Sequence, residues 1–488
     1  MLKGLFAIKP ITPAPHVDAG EPVEGSLAGE GSLKRTLTAT QLVMLGVGAV
    51  IGAGIFVLTG QAAAAHAGPA IVLSFVMAGF ACALAGLCYA EFASMMPVSG
   101  SAYSYSYATL GEFVAWFIGW CLVLEYLFAA STVAVGWSGY LNSLLGTMNM
   151  ALPDTLAMAP FSVVGGEFIR TGAIINLPAV LIIAAISGLC YVGITQSAFV
   201  NSIIVAIKVT VILLFVAFGL QFVDTSNWVP FIPENTGPGQ YGFEGVVRGA
   251  SIVFFAYIGF DAVSTAAGEA RNPQRDMPIG ILVSLAVCTL IYIIVCAVLT
   301  GMVHYSQLGT AKPVATALEA YPSLLWLKTL IEIGAIAGLS SVILVMLMGQ
   351  PRIFYSMAKD GLLPKVFGKV HPKYQTPYMG TIIVGVTAAV LAGFLPINLL
   401  GEMVSMGTLL AFATVCAGVL ILRFTQPNLK RPFRVPGAIL VCPLGVAACL
   451  YLFVPPFAEH WPIFVGWTAL GMLIYFGYGY WHSKLRTR

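Results

Sequence analysis

The feature that most constrains this chain is a series of apolar runs, each about 20 residues long, recurring between residues 41 and 481. About 30 Å of hydrocarbon needs roughly 20 residues at helical rise, so each run is a candidate membrane crossing. Twelve are read: 41–67, 70–95, 112–141, 173–193, 198–220, 246–268, 278–302, 326–356, 377–395, 402–423, 436–456 and 461–481. They are continuously apolar and lack the alternation of a transmembrane strand, which selects helices over a barrel. Composition agrees. Only 9% of the 488 residues are charged against 59% hydrophobic, and the mean hydropathy is +0.91, whereas a soluble domain carries about a quarter charged residues. There is too little polar surface for a water-soluble globule, which excludes a soluble multi-domain enzyme, a nucleic-acid binder and a disordered scaffold. The expected fold class is an all-α membrane protein.

An even number of crossings puts both termini on one side, and the basic residues say which. With cytoplasmic termini, 18 of the 23 Lys and Arg residues fall inside and four outside (Arg170, Arg248, Lys312 and Lys328), while Lys208 lies within a run. That asymmetry follows the positive-inside rule, and the expected location is the plasma (inner) membrane, multi-pass, with both termini cytoplasmic. The opening MLKGLFAIKP turns polar at once, so no cleaved signal peptide is expected. The nine cysteines fall almost entirely in apolar runs without metal-ligand spacing, and the six histidines lie in connections or near run ends. No metal and no cofactor are expected.

Two runs are interrupted by glycine. The first reads Ile51-Gly52-Ala53-Gly54-Ile55-Phe56 and the sixth Phe254-Phe255-Ala256-Tyr257-Ile258-Gly259-Phe260-Asp261, both in mid-run. One such break is explained by close helix packing. Two, five runs apart, fall at equivalent positions if the runs form two inverted copies, and paired broken helices are the strongest sequence pointer to a transport site.

Ionisable residues at membrane depth are costly and face a cavity or a partner. Glu91, Arg352 and Glu402 sit near run ends and can reach the headgroups. Lys208, in VAIKVTV, and Glu125, in WCLVLEYLF, cannot snorkel easily. Burial opposes a charged ammonium and a nearby carboxylate favours it, so Lys208 is read as a proton site with Glu125 as its counterpart; a static ion pair tying helices together is the plainer alternative.

The segments IGAGIFVLTG, PVSGSAYSYSYATLGEFVAWFIGWCLVLEY, FFAYIGFDAVSTAAGEARNPQRDMPIGI and GQPRIFYSMAKDGLLP resemble the amino acid–polyamine–organocation (APC) superfamily, and within it the cationic amino acid transporter (CAT) family and its bacterial proton-coupled relatives. The resemblance covers roughly residues 35–480. It implies 12 transmembrane helices in a LeuT-like 5+5 inverted repeat plus two extra helices. The segments are then 1–38, a cytoplasmic N-terminal segment; 39–220, the first repeat; 245–425, the second; 436–481, helices 11 and 12; and 482–488, a cytoplasmic tail. It further implies that the substrate carboxylate is bound by the N–H groups of Ala53, Gly54 and Ile55, as suits the positive end of a half-helix. The carbonyls of Val50 and of Phe255 or Ile258 would hold the α-ammonium, with Phe255 as the gating aromatic and Phe254 beside it. Lys208 would take the place of a second sodium ion, with Ser340 and Ser341 as candidate partners. Ala53 departs from the superfamily pattern, where a hydroxyl residue is common.

Met346 is read as a pocket wall that limits volume and offers no charge to a guanidinium. The expected function is proton-coupled import of L-amino acids by alternating access, of small neutral ones such as alanine. A cationic (arginine/lysine) transporter or an exchanger is the alternative, and a non-transporting nutrient sensor the more remote one. The expected partners are the amino acid, the proton and the lipid bilayer, with a small membrane-protein partner left unspecified. No HExxH, GxSxG or P-loop pattern occurs, so neither an enzyme nor an ATP-driven pump is expected.

Overall fold

The computed structural model describes residues 5–10, 37–98, 100–164, 167–193 and 198–486. Most of the expected N-terminal segment 1–38, including Lys3, Lys34 and Arg35, lies outside the described residues, as does Arg488. Helix α1 (Ala39–Val50) begins at a capping box in which the Thr38 hydroxyl accepts from the Gln41 N–H and the Gln41 side chain accepts from the Thr38 N–H. After a break the chain continues as a wide π turn (Gly54–Leu58). It then bends at Gly68, whose φ of +59° is reached without strain only by glycine, and enters α2 (Ile71–Met95).

The short helix α3 (Ser101–Thr109) precedes α4 (Glu112–Val123), which runs through a π turn (Leu124–Phe128) into α5 (Ala129–Thr147). An antiparallel hairpin, β1 (Phe161–Val164) and β2 (Glu167–Arg170), leads to α6 (Leu177–Val192) and α7 (Ala198–Gly219). The second half holds α8 (Gly242–Val253), α9 (Pro273–Met302), α10 (Leu325–Lys359), α11 (Tyr378–Phe394), α12 (Ile397–Thr425) and α13 (Ala438–Ile474).

Eight helical stretches among the described residues are long and apolar enough to cross a membrane. Outward-facing side chains such as Leu213, Val386 and Leu440 are apolar, which in water would be a liability and in hydrocarbon is a match of solvents. The stretch count differs from the twelve runs read in the sequence for three physical reasons. Runs 41–67 and 70–95 join into one stretch of 57 residues, Ala39–Met95, because helical turns continue through the bend at Gly68. Runs 436–456 and 461–481 join likewise into Ala438–His482, bent where His460 leaves helical geometry (φ −117°, ψ 21°) among Pro455, Pro456 and Pro462. Helices α6 and α11 are apolar but only 16 and 17 residues long.

The centre of the molecule is formed by α1 and α8, the two interrupted helices. Around them pack α2, α7, α9, α10, α12 and α13. Residues 5–10 lie along the start of α4: the Glu112 and Phe113 N–H groups donate to the carbonyls of Ala7 and Leu5, and the Lys9 ammonium lies 2.8 Å from Asp360.

Candidate substrate site at the two helix breaks

Helix α1 stops because Ile51 turns extended (φ −73°, ψ 97°) and Gly52 bends. In an unbroken helix the N–H of Gly54 would bond the carbonyl of Val50, and that of Ile55 the carbonyl of Ile51. Both carbonyls are taken by side chains instead. The Tyr292 hydroxyl of α9 lies 2.8 Å from Val50 O, and the Lys208 ammonium of α7 lies 3.1 Å from Ile51 O and 2.7 Å from Gly48 O. The next half-helix starts its backbone bonding only with Phe56 N–H to Gly52 O, 3.3 Å. The N–H groups of Ala53, Gly54 and Ile55 are therefore the orphan donors of a helix N-terminus, at its positive end.

The second break is built differently. Helix α8 tightens into a 3₁₀ turn, Phe254–Tyr257; Ile258 is extended and Gly259 takes φ +118°. The two breaks touch through glycine. A Cβ on Gly54 would lie 2.3 Å from the Cα of Ala256, and one on Gly259 would lie 2.9 Å from the backbone of Ala49. Such approach is possible only without a side chain. The Tyr292 hydroxyl also lies 2.9 Å from Ala256 O and so bridges both breaks.

Between the breaks lies a small cavity with room for about one water molecule, lined by Ala49, Val50, Gly52, Ala53, Gly54, Ala129, Val133, Phe255, Ile258, Val342 and Met346. Six residues singled out from the sequence meet here: Val50, Ala53, Gly54, Phe255, Ile258 and Met346. Two do not. The Ile55 side chain faces an adjoining apolar cavity with Phe56, Val211 and Val314, while its N–H stays among the orphan donors of the break. Phe254, one position before Phe255 and so turned to another face, packs edge-on against Phe412 at 5.6 Å and is a core residue. The carbonyl of Phe255 accepts the Ile258 N–H at 3.2 Å; it and Val50 O each retain a second lone pair.

Lys208 is fully buried. Its stem lies along α10 at Gly338, where an added Cβ would sit 3.0 Å from the lysine Cε. The contact with α10 is thus apolar and does not run through Ser340 or Ser341. The Ser340 hydroxyl accepts from Trp137 Nε1 at 2.9 Å and donates to Ile336 O, and the Ser341 hydroxyl donates to Gly338 O at 2.9 Å. Nor does Glu125 meet Lys208. Glu125 lies in the π turn after α4, with its carboxyl beside that of Asp261 and near Thr408. Asp261 in turn accepts from the Gly259 N–H and from the Tyr126 hydroxyl, each at 3.2 Å. Among the described residues no carboxylate pairs with Lys208; its ammonium is held by backbone carbonyls.

Sequence reasoning missed Tyr292, Ala129, Val133 and Val342. For two of them a pattern existed: Ala129 and Val133 are spaced by four and share one face of α5. Tyr292, a lone tyrosine in an apolar run, carries no pattern that separates it from core.

Comparison with known proteins gives a consistent set of relatives. The amino acid permease family profile matches residues 37–478. The chain is 46% identical over 454 residues to a methylthioribose transporter of Bacillus subtilis, covering 93% of this chain and 95% of that protein. It is also 46% identical over 459 residues to the branched-chain amino acid permease BcaP of Bacillus subtilis, covering 94% and 96%. Cationic amino acid transporter 3, mitochondrial, of Arabidopsis thaliana is 40% identical over 396 residues, which cover 81% of this chain and 63% of that protein.

Proposed function

Because the chain belongs to the amino acid permease family, a family of multi-pass membrane proteins, we propose that it is a proton-coupled secondary transporter importing neutral L-amino acids by alternating access. The observation that carries the substrate class is the composition of the cavity wall. Orphan N–H donors lie on one side, from Ala53 and Gly54, and only apolar side chains on the other: Ala129, Val133, Val342 and Met346. Such a site accepts a carboxylate by its backbone and an apolar side chain by its wall. A guanidinium or ammonium side chain would find no carboxylate, since Glu125 is turned to Asp261. The hydroxyl groups of a sugar would find no polar side chain. The name of the BcaP relative supports neutral side chains up to branched-chain size, and the cavity as it stands favours the small end, such as alanine.

The topology proposed is twelve crossings in two inverted sets of five, residues 39–220 and 245–425, followed by helices 11 and 12 at 436–481, with both termini in the cytoplasm. Support comes from the eight long stretches, from the bends at Gly68 and His460 that divide two of them, and from the two shorter apolar helices α6 and α11. The proton carriers proposed are Lys208, which replaces a cation between the carbonyls of the α1 break, and the Glu125–Asp261 carboxyl pair at the α8 break. In this account a protonated Lys208 holds α1 against α7 and α10, and loss of its proton frees the break to rearrange.

The substrate assignment is tested by binding to purified protein across alanine, leucine, arginine, methylthioribose and alanine amide. Alanine and leucine are expected to bind, and arginine, methylthioribose and the amide to bind far more weakly. Binding of arginine or methylthioribose in preference to both neutral amino acids would overturn it.

A further inference from the structure

Arg248 is one of the few basic residues that sequence analysis assigned to the outer side, where an exposed position would be unremarkable for an arginine. The fold buries it. Its side chain is 6% exposed, and Nη2 lies 2.6 Å from Glu402 Oε2 and 2.5 Å from Glu459 Oε2. The three residues come from three elements. Arg248 lies on α8, the half of the second broken helix that precedes the break. Glu402 is near the start of α12. Glu459 adjoins His460, where α13 kinks, and His460 Nε2 lies 3.1 Å from the same Glu402 oxygen.

The first broken helix joins the same point. The loop over Arg248 is fixed to it by His66 Nδ1, 2.8 Å from Gly239 O, and by the Tyr241 N–H, 2.7 Å from His66 O. A turn further along α8, the Ser251 hydroxyl donates to Leu452 O at 2.8 Å. Glu402, Glu459 and His460 bring metal-ligating atom types within 4.8 Å of one another, but the guanidinium already holds one oxygen of each carboxylate, so the cluster is an ion-pair assembly.

Glu459 is 39% exposed and closes the solvent side, while the Arg248 and Glu402 side chains, 6% and 7% exposed, form the buried pair. Buried charges of this kind have two acceptable states. They are paired and dry, or apart and hydrated; an arrangement in which α8 moves a little and leaves one charge unpaired is strongly disfavoured. That is the behaviour of a two-position catch. We propose that Arg248, through Glu402 and Glu459, is the lock that keeps the outer path shut, joining the outer halves of both broken helices to α12 and the α13 kink. The proposal rests on the transport reading above, because a gate has meaning only in alternating access. Arg248 is here a positioning residue. It does not touch the cavity, and it acts by completing the closed outer face that must form before the inner face opens.

The test uses the full chain, with Arg248→Gln and Glu402→Gln as single variants and the charge-exchanged Arg248→Glu/Glu402→Arg. Alanine binding at equilibrium, net alanine uptake into proteoliposomes and amide hydrogen exchange are measured on each. In the single variants binding is expected to stay within about threefold of the parent while net uptake falls about tenfold or more. Exchange should rise over residues 56–67 and 242–253 and stay unchanged over 101–109 at the opposite end. The charge-exchanged variant should recover part of the uptake. Uptake at the parent rate in both single variants would overturn the lock, and so would binding and uptake falling together with faster exchange throughout. If the parent itself binds no neutral amino acid, the transport reading fails separately, and the exchange pattern still decides whether Arg248 holds this face closed.

Discussion

The ammonium of Lys208 lies 3.1 Å from the carbonyl of Ile51, the group that the N–H of Ile55 would occupy if α1 ran on unbroken. A side chain 157 residues away in sequence thus stands in for a helical hydrogen bond. What it leaves unpaired, a row of backbone N–H donors beside an apolar cavity, is what a carboxylate requires.

Lys208→Ala is expected to give a folded protein that still binds amino acid but no longer accumulates it under a pH difference. Lys208→Arg should fail as well, because guanidinium does not release its proton and because the stem is packed tightly against Gly338. Uptake by each variant with and without an imposed pH gradient checks this. Concentrative uptake by either one would remove Lys208 from the coupling mechanism.

Gly54→Val is expected to abolish binding, for a reason that lies in the protein rather than in the ligand. The added Cβ would meet the backbone of Ala256 at 2.3 Å and force the two breaks apart. A cost of about 3 kcal/mol or more, roughly a hundredfold in Kd, is expected. Ligand-induced thermal stabilisation reads the loss; a variant stabilised by alanine as the parent is would contradict it.

Tyr292→Phe removes one hydroxyl and leaves the carbonyls of Val50 and Ala256 without their shared donor. A weakening of about 1 kcal/mol, roughly fivefold in Kd, is expected, with little change in fold because the ring keeps its packing against Phe75 and Tyr257. Equilibrium binding and a melting curve on the same sample separate the two effects.

Met346→Ser should enlarge the cavity and admit longer or basic side chains at modest cost to alanine. A methylene in a pocket is worth about 1–3 kcal/mol, so the selectivity change is expected to be tens-fold in competition uptake. An unchanged profile would mean that Met346 only fills space.

The depth of these groups along their helices was legible in the sequence, and their direction was not. Glycine at 52, 54 and 259 marks where a helix cannot continue, and a lysine amid VAIKVTV marks a polar group that needs a partner. Which partner it finds depends on how helices distant in sequence are rotated against one another. Glu125 lies inside the wide turn at Leu124–Phe128, where the helical path departs from regular α spacing, and its carboxyl sits beside Asp261 and not Lys208. The same limit explains Phe254 and Phe255, adjacent residues of which only the second reaches the cavity. Ser340 and Ser341 were plausible partners for Lys208 by depth alone, but a hydroxyl on a helix finds a carbonyl of its own preceding turn, and both did.

The most direct test of the whole account is uptake of radiolabelled alanine into proteoliposomes containing the purified chain, with an acidic exterior and with no gradient. The account predicts accumulation above the external concentration only when the gradient is imposed, and its collapse when a protonophore is added. Equal uptake under both conditions, or uptake that requires amino acid preloaded inside, would contradict it.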